Sequence, residues 1–399
     1  MKIAIIGGGI TGLVAGYRLL QIGHEVIIFE KEKELGGLLG SFKIEGKSLE
    51  RVYHHIFRTD KYIINLIEEL GLSKKLKWFN GSTAIYYDKK LYPFNGAVDL
   101  LKFKPLGMVN KLRLGLVKIY LEKEKKWQKF ENVSACQWMK KWCGKRAYEI
   151  IWEPLLKGKF SDRYEDISMA WLWARIHTRG NSSEKGGEKL GYLTGGFGQI
   201  TKEVGNRIKK MGGEIKLRSQ ISDVRSQLED FDKVISSEQL KNIDYLGAVT
   251  VVFSSTQNLS KYYWHNINDV NSPFVAIIQH TNLVSKENYG GKHVYYLGTY
   301  LPQDHKYFKI DDKIIFKENF TYLKNIFPEF DKKQISEKKI FRFKTAQHIV
   351  KTNYQCQISN VKKDDKIINV NFANIYPEDR GINLAVREGE KVIDRLRLY

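Results

Sequence analysis

Lys2-Ile3-Ala4-Ile5-Ile6-Gly7-Gly8-Gly9-Ile10-Thr11-Gly12 decides the fold of this chain. An apolar, β-branched run enters a Gly7-x-Gly9-x-x-Gly12 turn with no residue between. A helical pattern follows (Leu13, Val14, Tyr17, Leu19, Leu20), and a second apolar run, Val26-Ile27-Ile28-Phe29, ends on Glu30. Strand, glycine turn, helix, strand and acid fall within the roughly 30 residues of a βαβ unit. Gly7 permits the tight turn, Gly9 lets backbone approach a pyrophosphate, and Gly12 allows close packing of helix on strand. The helix start, with Thr11 in its first turn, offers unpaired N–H groups and a positive dipole end to phosphates. Glu30 stands where a carboxylate accepts hydrogen bonds from ribose hydroxyls, and Lys31 beside it joins the candidate site. These residues predict a dinucleotide site.

Outward from Glu30 the chain reads Leu35-Gly36-Gly37-Leu38-Leu39-Gly40-Ser41. With this Gly-Gly pair and hydroxyl residue, the chain resembles the large FAD family of protoporphyrinogen oxidases, amine oxidases, phytoene desaturases and UDP-galactopyranose mutases. The resemblance implies FAD as cofactor, with Glu30, Gly36, Gly37 and Ser41 around its ADP ribose and pyrophosphate. After Gly195-Gly196-Phe197-Gly198 a helix, a Gly212-Gly213 turn and the strand Glu214-Ile215-Lys216-Leu217 lead to Ile221. The resemblance implies a return to the FAD domain here, with Ile221 as a strand residue whose backbone contacts the adenine side. The closing block carries Arg380, Gly381 and Asn383 before another helix, which the resemblance places with its N-terminus at the pyrimidine edge of the flavin. Ala373-Asn374 stands where the family often has Gly-Asp, a departure from the family's pattern at that pair.

The fold class expected is therefore α/β. A Rossmann-like FAD-binding domain would be discontinuous (1–77, 190–245, 346–399), with an α+β substrate or cap domain from 78–189 and 246–345. Residues 85–92 read as two short strands around an Asp88-Lys89-Lys90 turn. Residues 100–127 carry Leu112, Leu116 and Ile119 at helical spacing among lysines and arginines, either as a lid on its own core or as a face resting on a membrane.

Two segments resemble the mutase branch. His54 and His55 follow the Gly-Gly element, and either they face the flavin, orienting substrate or shuttling a proton near neutral pH, or they are ordinary core or surface histidines. Residues 157–168 include Arg163, which the resemblance makes a pyrophosphate ligand and whose guanidinium suits bidentate anion binding. The amine-oxidase branch fits less well, because Leu38 stands where its Gly-Gly element continues with Arg. Lys344 is either an imitation of that branch's flavin-side lysine or an exposed lysine. The runs 262–265 and 279–282 are either cleft lining or core.

The expected activity is hydride transfer from a small organic substrate, anionic and related to glycans or isoprenoids, to flavin N5. The alternative is non-redox chemistry on a sugar nucleotide, as in the mutases, and a third class is flavin binding without catalysis. No second glycine motif marks an NAD(P)H domain, so reoxidation would fall to oxygen, a quinone or another diffusible acceptor. The 399 residues carry a net charge of +21, which attracts anions unless it reflects lysine-rich codon bias alone. No nucleic-acid motif accompanies the charge, so nucleic acid is not an expected partner, whereas an anionic small molecule and a peripheral membrane contact are. Cys136, Cys143 and Cys356 form no CxxC pair or metal-ligand spacing. With no apolar run of about 18 residues and no signal segment, the expected place is the cytoplasm or the inner face of the membrane.

Overall fold

The opening strand, Lys2–Ile6, is the centre of a parallel sheet in the computed structural model, which describes residues 1–184, 187–224, 226–355 and 366–397. Cys356 lies outside the described residues. The sheet order is Glu214–Lys216, Glu25–Phe29, Lys2–Ile6, Lys233–Ser236, Ile367–Asn369, with every neighbouring pair parallel. Ile3, Ala4, Ile5 and Ile28 are all fully buried, as an apolar strand covered on both faces requires. The helix Ile10–Gln21 packs close because Gly16 has no side chain: a Cβ there would stand 3.0 Å from Ile28 Cδ1. The last long helix, Ile382–Glu390, crosses the first in the same way, at Gly389, where a Cβ would meet the Thr11 carbonyl at 2.7 Å. That crossing brings the end of the chain to its beginning.

A seven-stranded sheet, antiparallel at all but one pairing, forms the second layer. Its long strand Tyr245–Ser255, second from one edge, is buried along its whole length. The aromatic-rich stretch after residue 245 supplies five of the seven strands, and the hairpin Thr83–Tyr87/Lys90–Pro93 supplies the others. Asp88 and Lys89 turn that hairpin with φ of 49° and 58°, the left-handed pair that matches strand twist. One apolar core runs through both sheets, joining Ile3, Ile5 and Ile28 to Val252, Ile278 and Tyr296. A helical layer built on Trp171, Met139 and Leu121 has its own core.

The structure fixes the orientation of the helix Met108–Lys123, which its sequence left open between two readings. Its inward residues are Leu114, Val117 and Leu121, whereas Leu112, Leu116 and Ile119 point to solvent. Apolar residues occupy both sides, so spacing alone did not choose the buried one. Among the described residues, no helix is long and apolar enough to cross a membrane.

Candidate functional site

A cavity of about 1730 Å³ opens at the carboxyl ends of the parallel strands, where Ile6, Phe29, Ser237 and Val370 line it. That is the position an open parallel sheet provides for ligands. The volume exceeds the roughly 300–1,000 Å³ of a common small-molecule pocket, which leaves room for a large cofactor and a substrate together.

One end is built from backbone. Gly7 holds φ 106°, and a Cβ there would overlap Ser237 Oγ at 2.1 Å. A Cβ on Gly12 would lie 2.1 Å from the Gly7 carbonyl oxygen. Gly9 differs: no protein atom lies within 4 Å of its absent side chain, and the space beside it belongs to the cavity. Gly36 (φ 120°) and Gly37 (φ 54°) form a second loop whose Gly36 N–H donates to the Gly8 carbonyl at 2.9 Å. Glu30 accepts from the Gly8 N–H of the first loop at 2.6 Å and from the Glu32 N–H that follows its own strand at 2.8 Å. A carboxylate has about four lone-pair sites, so Glu30 can still accept from a ligand in the cavity it lines. Thr11, Lys31, Gly36 and Gly37 also line it, and so does the start of the closing helix, including Gly381 and Asn383. Asn383 has a structural duty as well, accepting from the Ile63 N–H at 3.1 Å.

The other end is built from buried charge. Asp379 takes an ion pair from Lys159 at 2.7 Å, another from Arg175, and a hydrogen bond from the Trp171 indole at 3.3 Å. Burial alone would raise the Asp379 carboxyl, but Lys159 and Arg175 hold it well below the usual carboxylate range. Burial pushes the Lys159 ammonium down, with Asp379 opposing. Burial and the neighbouring Arg175 also lower the Arg179 guanidinium. Arg380 donates to Gln347 at 2.9 Å and to the Tyr300 hydroxyl at 3.0 Å. Burial would raise that phenol; Arg380 and Lys159 reverse the shift and hold it below its ordinary value. Lys159, Arg175, Arg179, Arg380, Asp379 and Tyr300 all line the cavity.

His54 and His55 sit between the two ends. Burial pushes His54 down to about 4, and burial with Arg179 pushes His55 down to about 3. Both are therefore held in the neutral form at pH 7. His55 Nδ1 lies 3.2 Å from the Tyr263 hydroxyl, whereas His54 Nδ1 is buried with no hydrogen-bond partner.

Three expected site residues stand elsewhere. Arg163 is outside the main cavity, on a separate one of about 450 Å³, paired with Asp244 at 3.1 Å. The helix Glu153–Phe160 ends at Ser161 with φ 52°, and this left-handed residue turns Arg163 away from the wall that Lys159 occupies. Ser41 lies against Gly198, where a Cβ would overlap its Oγ at 1.8 Å, and does not line the cavity. Ile221 begins a short helix, Ile221–Val224, rather than lying on a strand; Ser219, Gln220 and Ser222 line the cavity there. Of the aromatic runs only Trp264 faces the cavity. His265 is core, held between Ile277 O and Ser260 Oγ, and His280 bonds the Tyr289 hydroxyl at 2.8 Å. Lys344 is exposed at the cavity rim. Sequence reasoning passed over Lys159, Arg175 and Arg179. The four-residue spacing of the two arginines on one helix, which places them on one face, was the available signal. Among the described residues, no group of His, Cys, Asp and Glu could hold a metal ion.

A family model described as flavin containing amine oxidoreductase matches residues 10–243, more than half of the chain. The mitochondrial protoporphyrinogen oxidase of Nicotiana tabacum is 27% identical over 175 residues, which are 42% of this chain and 34% of that enzyme. The match thus spans about a third of the tobacco protein. A candidate protoporphyrinogen oxidase from Exiguobacterium sp. 255-15 is similar over 100% of this chain and 98% of its own, with TM-score 0.77 and 16% identity. Reduced UDP-galactopyranose mutase is similar over 99% and 96%, with TM-score 0.73 and 13% identity. At such identities the two structures speak for the fold alone.

Proposed function

The chain belongs to the flavin-containing amine oxidoreductases, and from that premise we propose that it is an FAD-dependent oxidoreductase acting on a small anionic organic substrate. The observation that carries the reading is a single cavity joining a dinucleotide cradle to a wall of Lys159, Arg175, Arg179 and Arg380. FAD, rather than a mononucleotide flavin, suits a cradle with both a ribose acceptor at Glu30 and a phosphate loop at Gly9. The room beside Gly9 and the positive ends of two helices suit a pyrophosphate and a reduced flavin ring.

Held by Glu30, Gly9 and the two helix N-termini, a flavin would supply hydride-accepting chemistry toward a substrate C–H bond, with a diffusible acceptor as the electron sink. The chain's own residues orient the partner molecule. The cationic wall holds a carboxylate or phosphate, each charge-assisted contact contributing about 1.5–3 kcal/mol. Asp379 keeps Lys159 and Arg175 in place. Neutral His54 and His55 donate or accept hydrogen bonds without adding charge, and Trp264 offers an apolar surface. The sugar-nucleotide alternative loses Arg163, one of its supports beside His55 and the basic field, although the same wall would accept a diphosphate.

Absorbance and extraction of the purified protein test the cofactor. Bound FAD is expected, and a protein that takes up no FAD on reconstitution would end the proposal. Turnover of an anionic substrate panel with oxygen or a quinone supports the oxidoreductase, whereas UDP-sugar binding that alters only the reduced flavin spectrum supports the mutase.

A further inference from the structure

The outward side of the helix Met108–Lys123 is apolar where solvent-exposed helices are ordinarily polar. Val109 is 71% exposed, Leu116 68%, Leu112 58% and Met108 56%. With Ile119 and Tyr120 they fall within an arc of about 120° at 100° per residue. The inward arc of the same helix is satisfied by Leu114, Val117 and Leu121 in the helical core, so the outward arc is surplus to folding. Leu101 and Val98, on the preceding short helix, add to the exposed apolar area. An apolar patch of this kind on a folded chain marks a contact surface.

The rim identifies the partner. Between residues 97 and 126 there are eight basic residues against three acidic. Lys102 and Lys104 before the helix and Lys123 at its last residue are exposed, flanking the apolar arc along the helix axis. Arg113 donates to the carbonyls of Trp142 at 2.9 Å and Lys141 at 2.6 Å, which holds the half-exposed Trp142 beside the helix. An apolar arc with a tryptophan at its edge and a basic rim is complementary to an anionic bilayer surface. A second copy is a poorer occupant, because it would bring two basic rims together on chains that each carry +21. We propose that this face docks the protein on the surface of an anionic lipid membrane, with the helix lying in the plane of the headgroups. The helix packs on Met169–Ser182, whose Arg175, His177 and Arg179 line the cavity, and Leu121 O lies 3.4 Å from His177 Nδ1. One helix layer therefore separates the docking face from the cationic wall.

Co-sedimentation of the full chain with phosphatidylcholine vesicles, with and without phosphatidylglycerol, tests this. Binding is expected to the phosphatidylglycerol vesicles, with a blue shift in tryptophan fluorescence that W142F abolishes. The triple variant L112S/L116S/I119S should keep its thermal transition, because those side chains are exposed, and should bind more than about tenfold more weakly. M108S/V109S, on the same arc, gives a second variant with the same expectation. Chain that stays in the supernatant with anionic vesicles, or binding that both variants leave unchanged, overturns the proposal. So does a concentration-dependent dimer in sedimentation velocity that the triple variant dissolves, since the face would then belong to a second copy.

Discussion

The two ends of the cavity are made of different material. The cradle is backbone: glycines at 7, 9, 12, 36 and 37 shape two loops joined by the Gly36 N–H to Gly8 carbonyl bond, with Glu30 accepting from the Gly8 N–H. The far wall is side chain: Lys159, Arg175, Arg179 and Arg380 come from three separate segments and meet around Asp379. The cradle depends on the absence of atoms, the wall on balanced charge. The same substitution logic therefore has opposite consequences at the two ends.

The sharpest break in that comparison is Asp379→Ala. It leaves Lys159 and Arg175 in the wall without their shared carboxylate. Removing one partner of a buried pair costs about 3–5 kcal/mol, and because Asp379 lines an open cavity a loss of about 3 kcal/mol is expected from denaturant unfolding. A loss below about 1 kcal/mol would mean that the wall does not rest on this carboxylate.

At the cradle, Gly12→Ala and Gly9→Ala should separate folding from binding. The Gly12 methyl would press on a carbonyl at 2.1 Å, so a loss of about 1–3 kcal/mol is expected together with loss of flavin. The Gly9 methyl meets no protein atom within 4 Å, so the apo-protein's melting should be unchanged while flavin uptake weakens. Equal behaviour of the two variants in melting and uptake would remove the distinction.

The smallest effect concerns the histidines between the ends. His54 titrates near 4 and His55 near 3 in the folded state, against about 6.5 when unfolded. Below pH 6.5 the unfolded chain binds protons that the folded chain refuses. Their contribution is therefore full above about pH 6.5 and declines as pH falls toward 4. His54→Gln should flatten that decline by up to about 1.4 kcal/mol per pH unit. Asp60, raised by burial to about 6, works in the opposite direction over part of the window, so the comparison must be made between variant and wild type. An unchanged slope would show that His54 is not buried from water.

Legibility in the sequence followed the same division. Gly7, Gly9, Gly12 and Glu30 could be read because a turn, a close approach and a strand end impose residue types at fixed local spacing. Ser41 and the strand assignment of Ile221 were not legible because they depend on loops: Ser41 packs on Gly198, and Ile221 starts a helix. The 157–168 segment did supply a cation to the cavity, but Ser161 at φ 52° decides that it is Lys159 and not Arg163. The helix Met108–Lys123 carries apolar residues on two sides, and only its neighbours determine which side is buried.

By itself, then, the sequence determined the βαβ opening, the α/β class and the glycine-built cradle, because local backbone geometry admits few residues there. The tertiary structure decided the charge constellation at the far end and the outward face of the amphipathic helix. A lone lysine, arginine or leucine carries no mark of its partner until distant segments are packed together.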